Sequence, residues 1–512
     1  MYPISRALER ARHHFAQRPA VVDGDTMLTY AQLAGRVDRL AAALAGLGLN
    51  RGDRVAVVDK NSARYLEIYF ACAHAGLVIA PVNFRLAPGE VAQILADAEV
   101  SLGGDFADFV DAALGDAGLD AIRVLTDASA PAPVHGYEDL LGRAAPMAGP
   151  VATGPDDVMM IYYTSGTTGV PKGVCLTNTT SHFGSLDGIV SLRIGPEDVW
   201  LHAAPLFHMA TAMLIWPLAM VGGRQVVSHF EPPRTLDLMS RERVTMSAAP
   251  MTLFAMLADQ GGLDRFDLGA LRHLVYGGAP TPGGQVEYVQ RAFGQKLSHV
   301  YAMTECNGFA TFLDAADHRY DGTEAERKRT ASAGLPAHFV DLKIVDDDGT
   351  ALGPGEIGEI AVAGPKVMRG YWNNSEETAR ALRNDWYHSG DLGYRDADGY
   401  VHIVDRKKDM IISGGENVYP AEIEGVLSGH PQIVEAAVIG LPSEKWGESP
   451  LAIVVRKDES LTAAEVLDYC RGKLAGYKQP KAVEFVDEIP RNPSGKILKR
   501  VLREQFPGPA GV

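Results

Sequence analysis

Between residues 29 and 82 the chain alternates helix-period and strand-like segments, and that alternation limits the folds open to it more than any other feature. Thr29-Tyr30-Ala31-Gln32 has the form of a capping box, and Leu33, Val37, Leu40, Leu44 and Leu47 then recur at helical spacing. Arg54–Val58 follows as a short apolar strand, Ser62–Ala75 as a second helix and Leu77–Val82 as another apolar strand. Strands that are apolar throughout need cover on both faces, so the expected fold class is α/β, a parallel sheet flanked by helices. An earlier helix is expected over Ile4–Gln17, and residues 103–156, rich in Ala, Gly, Asp and Pro, read as a peripheral excursion.

At Val158-Met159-Met160-Ile161 a further apolar strand runs into Tyr162-Tyr163-Thr164-Ser165-Gly166-Thr167-Thr168-Gly169-Val170-Pro171-Lys172-Gly173. Val174-Cys175-Leu176 reads as the next strand. Glycines let the backbone curl so that several N–H groups face one point, and such a nest binds anions. The hydroxyls of Thr164, Ser165, Thr167 and Thr168 add donors with little bulk, and Lys172 adds a positive charge on a flexible stem. This is equipment for holding a polyphosphate. A flexible Ser/Thr/Gly linker is the ordinary alternative, but the run is short, lies between two strands and ends in Pro-Lys-Gly. A Walker loop does not fit, because Lys172 follows Pro171 and precedes Gly173 where G-x-x-x-x-G-K-[ST] is required.

Further along, Val199–Ala203 reads as a strand that ends at Pro205-Leu206-Phe207-His208, and the apolar Met209–Val221 as one helix. Thr245–Ala249 looks like another strand end, and Leu274-Val275-Tyr276 leads into Gly277-Gly278-Ala279-Pro280. Strands ending in glycines place backbone groups at the carboxyl edge of a sheet, where open α/β folds bind ligands. From Val340 the texture changes. Val340–Val345, Glu359–Val362 and Tyr400–Val404 alternate, with Asp-Gly turns at 348–349 and 398–399, as in a small β subdomain. Beyond Lys408, strand-like Val434–Ile439 and Pro450–Val455 and a helix over Ala463–Leu474 describe a compact α+β domain.

With 512 residues the chain has room for more than one domain, and its 46% hydrophobic and 22% charged residues are those of a globular protein. A net charge of −16 argues against a nucleic-acid partner. The four cysteines, at 72, 175, 306 and 470, are too scattered for a disulfide framework or zinc spacing, and the 15 histidines form no H-E-x-x-H motif. No apolar run approaches a transmembrane span, and Arg6, Glu9, Arg10 and Arg12 interrupt any signal-peptide pattern. A reduced, cytoplasmic protein is expected. Membrane contact, if the substrate is lipid-like, would be peripheral, and assembly into a homo-oligomer stays open.

The loop at 162–173 closely resembles the signature loop of the adenylate-forming superfamily, which includes acyl- and aryl-CoA synthetases. The family's other motifs follow in its order: Tyr301-Ala302-Met303-Thr304-Glu305, Tyr387-His388-Ser389-Gly390-Asp391-Leu392-Gly393, Asp405-Arg406-Lys407-Lys408-Asp409, the run Ser413-Gly414-Gly415-Glu416 with its continuation to Glu424, and Pro493-Ser494-Gly495-Lys496. The resemblance implies a large N-terminal domain over 1–407 of helix-flanked sheets plus the β subdomain. It also implies a small mobile α+β domain over 408–512, hinged at Lys408.

ATP, Mg2+ and coenzyme A are the implied cofactors, and a small-molecule carboxylic acid the implied substrate. By the same resemblance Thr164, Ser165, Gly166, Thr167, Thr168, Gly169 and Lys172 face the phosphates, Thr304 contacts the α-phosphate and Glu305 binds magnesium, a carboxylate suiting a hard cation. Gly277, Gly278 and Ala279 line the adenine, Tyr301 flanks it, and Asp391 and Arg406 hold the ribose. Lys496 bridges the substrate carboxylate and the α-phosphate during adenylation, and Gly414 and Gly415 line a pantetheine tunnel in the second half-reaction. His208 gates the acyl pocket or contacts the carboxylate. Lys499, Arg500 and Arg503 read as solvated helix charges, and Cys306 as a buried thiol rather than a nucleophile.

The acyl pocket is expected near His208, Met209, Thr211, Met213, Tyr276, Gly277, Ala302 and Asn307. From Phe207 to Met220 there is no Asp or Glu, so a substrate ammonium would lack a partner and an amino acid is disfavoured. A fatty, aryl or alicyclic acid fits, and Ala302 tilts the reading toward an aliphatic chain. The leading function is an AMP-forming acyl-CoA synthetase. The alternatives are an adenylating enzyme that loads a carrier protein or stops at acyl-AMP, and a non-enzymatic nucleotide-binding protein. A lysine needed in one half-reaction only makes a sharp expectation: Lys496→Ala removes most adenylation but spares thioester formation from preformed acyl-adenylate. Assaying the two half-reactions separately checks it, and equal loss in both overturns the assignment.

Overall fold

The computed structural model of the chain describes residues 3–98, 101–103, 107–118, 124–125, 135–164, 171–278, 281, 283–443, 445–491 and 497–507. Their contacts form two units: Met1–Leu342 with Val362–Tyr387, and Lys343–Ala361 with His388–Val512. Lys408, the expected domain boundary, lies inside the second unit, and most of the small β subdomain groups with the C-terminal residues.

Local chemistry accounts for the first elements. Thr29 Oγ1 accepts from the Gln32 N–H at 3.3 Å and Gln32 Oε1 from the Thr29 N–H at 2.8 Å, closing the capping box of the helix Tyr30–Gly46. Its apolar stripe, Leu33, Val37, Leu40 and Leu44, is buried. Ser62 caps Ala63–Ala75, and the first helix is Arg6–Phe15, shorter at both ends than expected. Residues 103–156 carry more structure than an excursion. Their described part contains the helices Ala107–Ala117 and Tyr137–Arg143, and the Tyr137 hydroxyl donates to Glu67 Oε2 at 2.6 Å while Arg36 pairs with Glu67 and Glu138.

The apolar strands form two sheets in the first unit. The six-stranded one runs Gly370–Tyr371, Lys172–Thr177, Val158–Thr164, Val78–Pro81, Arg54–Val58, Ser101–Gly103. Its pairs beyond Val158–Thr164 are parallel, as expected, but Val158–Thr164 and Lys172–Thr177 are antiparallel, the return that a short connection permits. The nine-stranded sheet runs Leu335–Pro336, Gly308–Leu313, Leu297–Met303, His273–Gly277, Met246–Ala248, Val199–His202, Arg224–Val227, Pro19–Asp23, Thr26–Thr29. From Leu297–Met303 to Pro19–Asp23 its pairs are parallel.

The single helix expected over Met209–Val221 is two, Met209–Ala212 and Ile215–Val221. Pro217 has no N–H to give Met213, so the first helix cannot continue through it. Gly358–Ala363, Trp386–Arg395 and Val401–Arg406 belong to a small sheet. A second sheet of Ile411–Ser413, Glu416–Val418, Ile433–Ser443, Gly447–Arg456 and Ala482–Phe485 packs Ile411, Val438, Ala452 and Val454 against the helices Pro420–Ser428 and Ala463–Cys470. That last helix was expected to reach Leu474; Arg471, before Gly472, is already extended.

One interaction in the first unit runs against ordinary core chemistry. Lys366, 0% exposed, forms an ion pair with Asp187, itself 1% exposed, on the helix Asn178–Leu192. Asp187 Oδ1 also accepts from Ser191 Oγ at 3.1 Å and the His338 N–H at 3.2 Å. Lys366→Met strands a buried carboxylate, so it should lower stability by about 3–5 kcal/mol, whereas adding Asp187→Leu should restore much of that. Thermal and denaturant midpoints of the single and double variants check this.

Candidate active site

Register at the mouth of the hairpin sets Thr164 opposite Lys172. Ser165, Gly166, Thr167, Thr168 and Gly169 lie outside the described residues. Lys172 opens the returning strand, so its backbone is tied into the sheet rather than into the loop. On the strand's other side Gly370 pairs with Cys175 and Tyr371 with Val174, and the Trp372 N–H donates to the Gly173 carbonyl at 2.7 Å. The Tyr371 ring therefore lies beside Lys172, whose Nζ is 5.4 Å from the ring centroid. The ammonium pairs with Glu377 on the helix Ser375–Ala381, and the Lys172 partner holds the Glu377 carboxyl below its ordinary value.

The strand Leu297–Met303 ends in a 3-10 turn, Thr304–Cys306, which presents Thr304 and Glu305 half-buried. The Met368 N–H donates to the Glu305 carbonyl at 2.7 Å, and the Tyr371 hydroxyl donates to Glu305 Oε1 at 3.0 Å. Two charges far apart in sequence, Lys172 and Glu305, thus meet on one tyrosine. Burial, with the Glu305 charge second, raises the Tyr371 pKa well above that of an ordinary phenol, so the hydroxyl stays a donor. A neutral donor thus orients the carboxylate, whose hard oxygens fit magnesium. Sequence motifs had not marked Tyr371 or Glu377. Asn374-Ser375-Glu376-Glu377 reads only as a capped helix start with acids in its first turn, and nothing local points to Lys172.

Gly277 ends the strand His273–Gly277 so close to its neighbour that a Cβ there would come within 2.1 Å of the Val300 carbonyl oxygen. Gly278 follows it at φ 82°, and Ala279 lies outside the described residues. Tyr301 is buried, and Ala302 half-buried. Tyr276 is turned into the scaffold, its hydroxyl hydrogen-bonded to His318 Nε2 at 3.0 Å. So is Asn307, whose Nδ2 donates to the Thr180 carbonyl at 2.6 Å. Met209 and Thr211 are buried and Met213 half-buried around the short helix Met209–Ala212.

His208 caps that helix, its Nδ1 accepting from the Ala210 N–H at 3.3 Å. An accepting Nδ1 puts the neutral ring's proton on Nε2, so His208 offers a donor. Solvent reaches the ring, yet the protein mass around it desolvates the imidazolium and lowers its pKa. Cys306 is buried, and burial pushes its thiol up to about 11, as expected of an inert side chain.

In the second unit Asp391 and Arg406 are register partners on adjacent strands, and Arg406 Nη1 stands 2.8 Å from Asp391 Oδ1. Gly414 takes φ 63° beside Trp446, where a Cβ would come within 2.9 Å of the indole, and Gly415 follows at φ 86°. Lys408 is exposed in the 3-10 turn Lys407–Asp409. The helix charges expected to be solvated are all paired, two of them with residues outside the helix: Arg503 with Asp409 at 2.9 Å and Lys499 with Glu424 at 2.8 Å. Arg500 pairs with Glu504 on the surface. Lys496 lies outside the described residues.

Comparison with known proteins agrees with this chemistry. Residues 8–372 match the family model of the AMP-binding enzymes, and 422–496 that of the AMP-binding enzyme C-terminal domain. The chain belongs to the AMP-binding enzyme family, the adenylate-forming enzymes. It is similar to a feruloyl-CoA synthase of Amycolatopsis sp, with 41% identity over 99% of this chain and 98% of that one. It is also similar to a long-chain-fatty-acid–CoA ligase of Mycobacterium tuberculosis, with 37% identity over 94% of each. The solved structure of ATP-bound MatB from Rhodopseudomonas palustris superposes with a TM-score of 0.87 at 32% identity, covering 98% of this chain and 99% of that one. Within the family the chain is an AMP-forming acid–thiol ligase, a class that uses ATP, Mg2+ and coenzyme A.

The Lys172–Glu377 pair makes its own prediction. Glu377→Gln releases the ammonium, so Lys172 should be acetylated by acetic anhydride about two- to fivefold faster, the free-energy equivalent of a partly exposed ion pair. Peptide mass spectrometry after brief labelling reads this directly.

Proposed function

We propose that this chain activates a fatty, aryl or alicyclic carboxylic acid as its acyl-adenylate and then transfers the acyl group to coenzyme A. The observation that carries the reading is the meeting of Lys172 and Glu305 on Tyr371, one cation for polyphosphate and one carboxylate for a hard metal. In the first half-reaction a carboxylate oxygen attacks the α-phosphorus of ATP and pyrophosphate leaves. Both reactants are anionic, so positioning and charge neutralisation are the main catalytic tasks. Lys172 and the 164–169 loop hold the departing phosphates, and Thr304 the α-phosphate. Bound at Glu305, magnesium would neutralise phosphate charge. Gly277, Gly278, Ala279 and Tyr301 serve the base, Asp391 and Arg406 the ribose, and Lys496 the reacting oxygens.

In the second half-reaction the thiol sulfur attacks the acyl carbonyl and AMP leaves, with Gly414 and Gly415 beside the pantetheine arm. His208, neutral and donating from Nε2, stands at the acyl site with Met209, Thr211, Met213, Tyr276, Gly277, Ala302 and Asn307. The absence of an acid from Phe207 to Met220 supports an apolar acid over an amino acid. The cytoplasm is the proposed setting. The described residues contain no helix long and apolar enough to cross a membrane, and all four cysteines are free and buried.

AMP release across a panel of carboxylic acids, with and without coenzyme A, tests the reading. Turnover that needs both an apolar acid and coenzyme A supports it. Adenylation that coenzyme A does not release, but a carrier protein does, overturns the thiol assignment. The hinge is tested apart from this. Proline at 408 fixes φ near −65° and restricts Lys407, so Lys408→Pro should hold one domain orientation. Pyrophosphate exchange should then survive while coenzyme A thioester formation collapses. A variant that forms thioester at the parental rate ends the hinge assignment.

A further inference from the structure

The strand Lys172–Thr177 carries on its outer side a short segment, Gly370–Thr378, in which two side chains reach the two charges of the candidate site. Glu377 pairs with Lys172, and the Tyr371 hydroxyl donates to Glu305 Oε1 at 3.0 Å. Tyr371 is itself fixed. Its backbone pairs with Val174, its N–H donates to Thr378 Oγ1 at 2.9 Å, and its hydroxyl accepts a hydrogen bond from Tyr387.

The placement solves an electrostatic problem. Lys172 and Glu305 carry opposite charges at the ring and the hydroxyl of one tyrosine, and an ion pair between them would cancel the charges that a metal–polyphosphate needs. Glu377 gives the ammonium a separate partner, and a neutral phenol orients the carboxylate without neutralising it. Left alone, a glutamate side chain rotates freely about its last bond. One hydrogen bond to Oε1 removes that freedom, and the outer partners of metal ligands commonly change metal affinity by about 10–100-fold.

We propose that Tyr371 is a positioning residue for the metal-binding carboxylate: the relay from Tyr387 through Tyr371 to Glu305 sets the orientation in which Glu305 meets a divalent cation. This rests on the reading of Glu305 as the magnesium ligand. The Tyr371 hydroxyl acts through Glu305.

Equilibrium binding of ATP to the full chain, by calorimetry in excess magnesium and again in EDTA, separates this role from a merely structural one. Tyr371→Phe should weaken binding of the magnesium complex about tenfold and leave metal-free ATP binding unchanged. Tyr387→Phe should act in the same direction and less. In a Glu305→Gln background, Tyr371→Phe should add nothing. Equal losses with and without magnesium, or no loss in either, overturn the proposal. If Glu305→Gln weakens the magnesium complex and Tyr371→Phe does not, the positioning role alone falls. If Glu305→Gln leaves magnesium dependence untouched, the ligand reading falls and takes this inference with it. Should Tyr371→Phe show no cooperative melting transition, Tyr387→Phe carries the same comparison, and a loss without preference for the magnesium complex overturns the relay.

Discussion

Backbone hydrogen bonding on both sides of the strand Lys172–Thr177 is the constraint on which the rest of the first unit's site depends. One side pairs with Val158–Thr164 and sets Thr164 opposite Lys172. The other pairs with Gly370–Tyr371, nearly two hundred residues later in the chain. A lysine on a free loop would sample many positions. Here its Cα is clamped in a sheet and only the flexible stem moves, so the charge is delivered to one small region at little further entropic cost.

The same pairing explains how opposite charges coexist without cancelling. Tyr371 stands between Lys172 and Glu305, ring toward one and hydroxyl toward the other, while Glu377 supplies the ammonium with a carboxylate that it shares with Arg380. Lys366, of the buried Lys366–Asp187 pair, lies two residues before Met368, whose N–H holds the Glu305 main chain. The intact buried pair is a poor source of stability, but removing one partner leaves a charge in apolar surroundings at a cost of several kcal/mol. The second unit uses a related, half-buried device. Asp391 and Arg406, register partners, keep a carboxylate and a guanidinium 2.8 Å apart on adjacent strands.

Much of the fold was legible in the chain because its causes are local. The capping box at Thr29 and Gln32, the apolar stripe of the helix it starts, and the apolar strands at 54–58 and 158–161 all formed as their patterns required. Errors arose where a local pattern was cut by a single residue. Pro217 divided the helix expected over Met209–Val221. The weak patterns of 103–156 hid helices stabilised by distant partners, Tyr137 bonded to Glu67 being the clearest case.

For the site, the sequence by itself determined which kinds of chemistry are available: a hydroxyl- and glycine-rich loop ending in a lysine, a Thr-Glu after an apolar strand, an aspartate and an arginine in two later motifs, and no acid to pair an ammonium near Phe207. Those are properties of residue type and spacing within a few positions. Only the tertiary structure decided that Lys172 and Glu305 share Tyr371, that Glu377 belongs to Lys172, and that Asn307 and Tyr276 turn their polar groups into the scaffold. The reason is physical. Sheet pairing and ion pairing join residues that are near in space and far along the chain, and no periodicity in one segment encodes which distant strand will lie beside it.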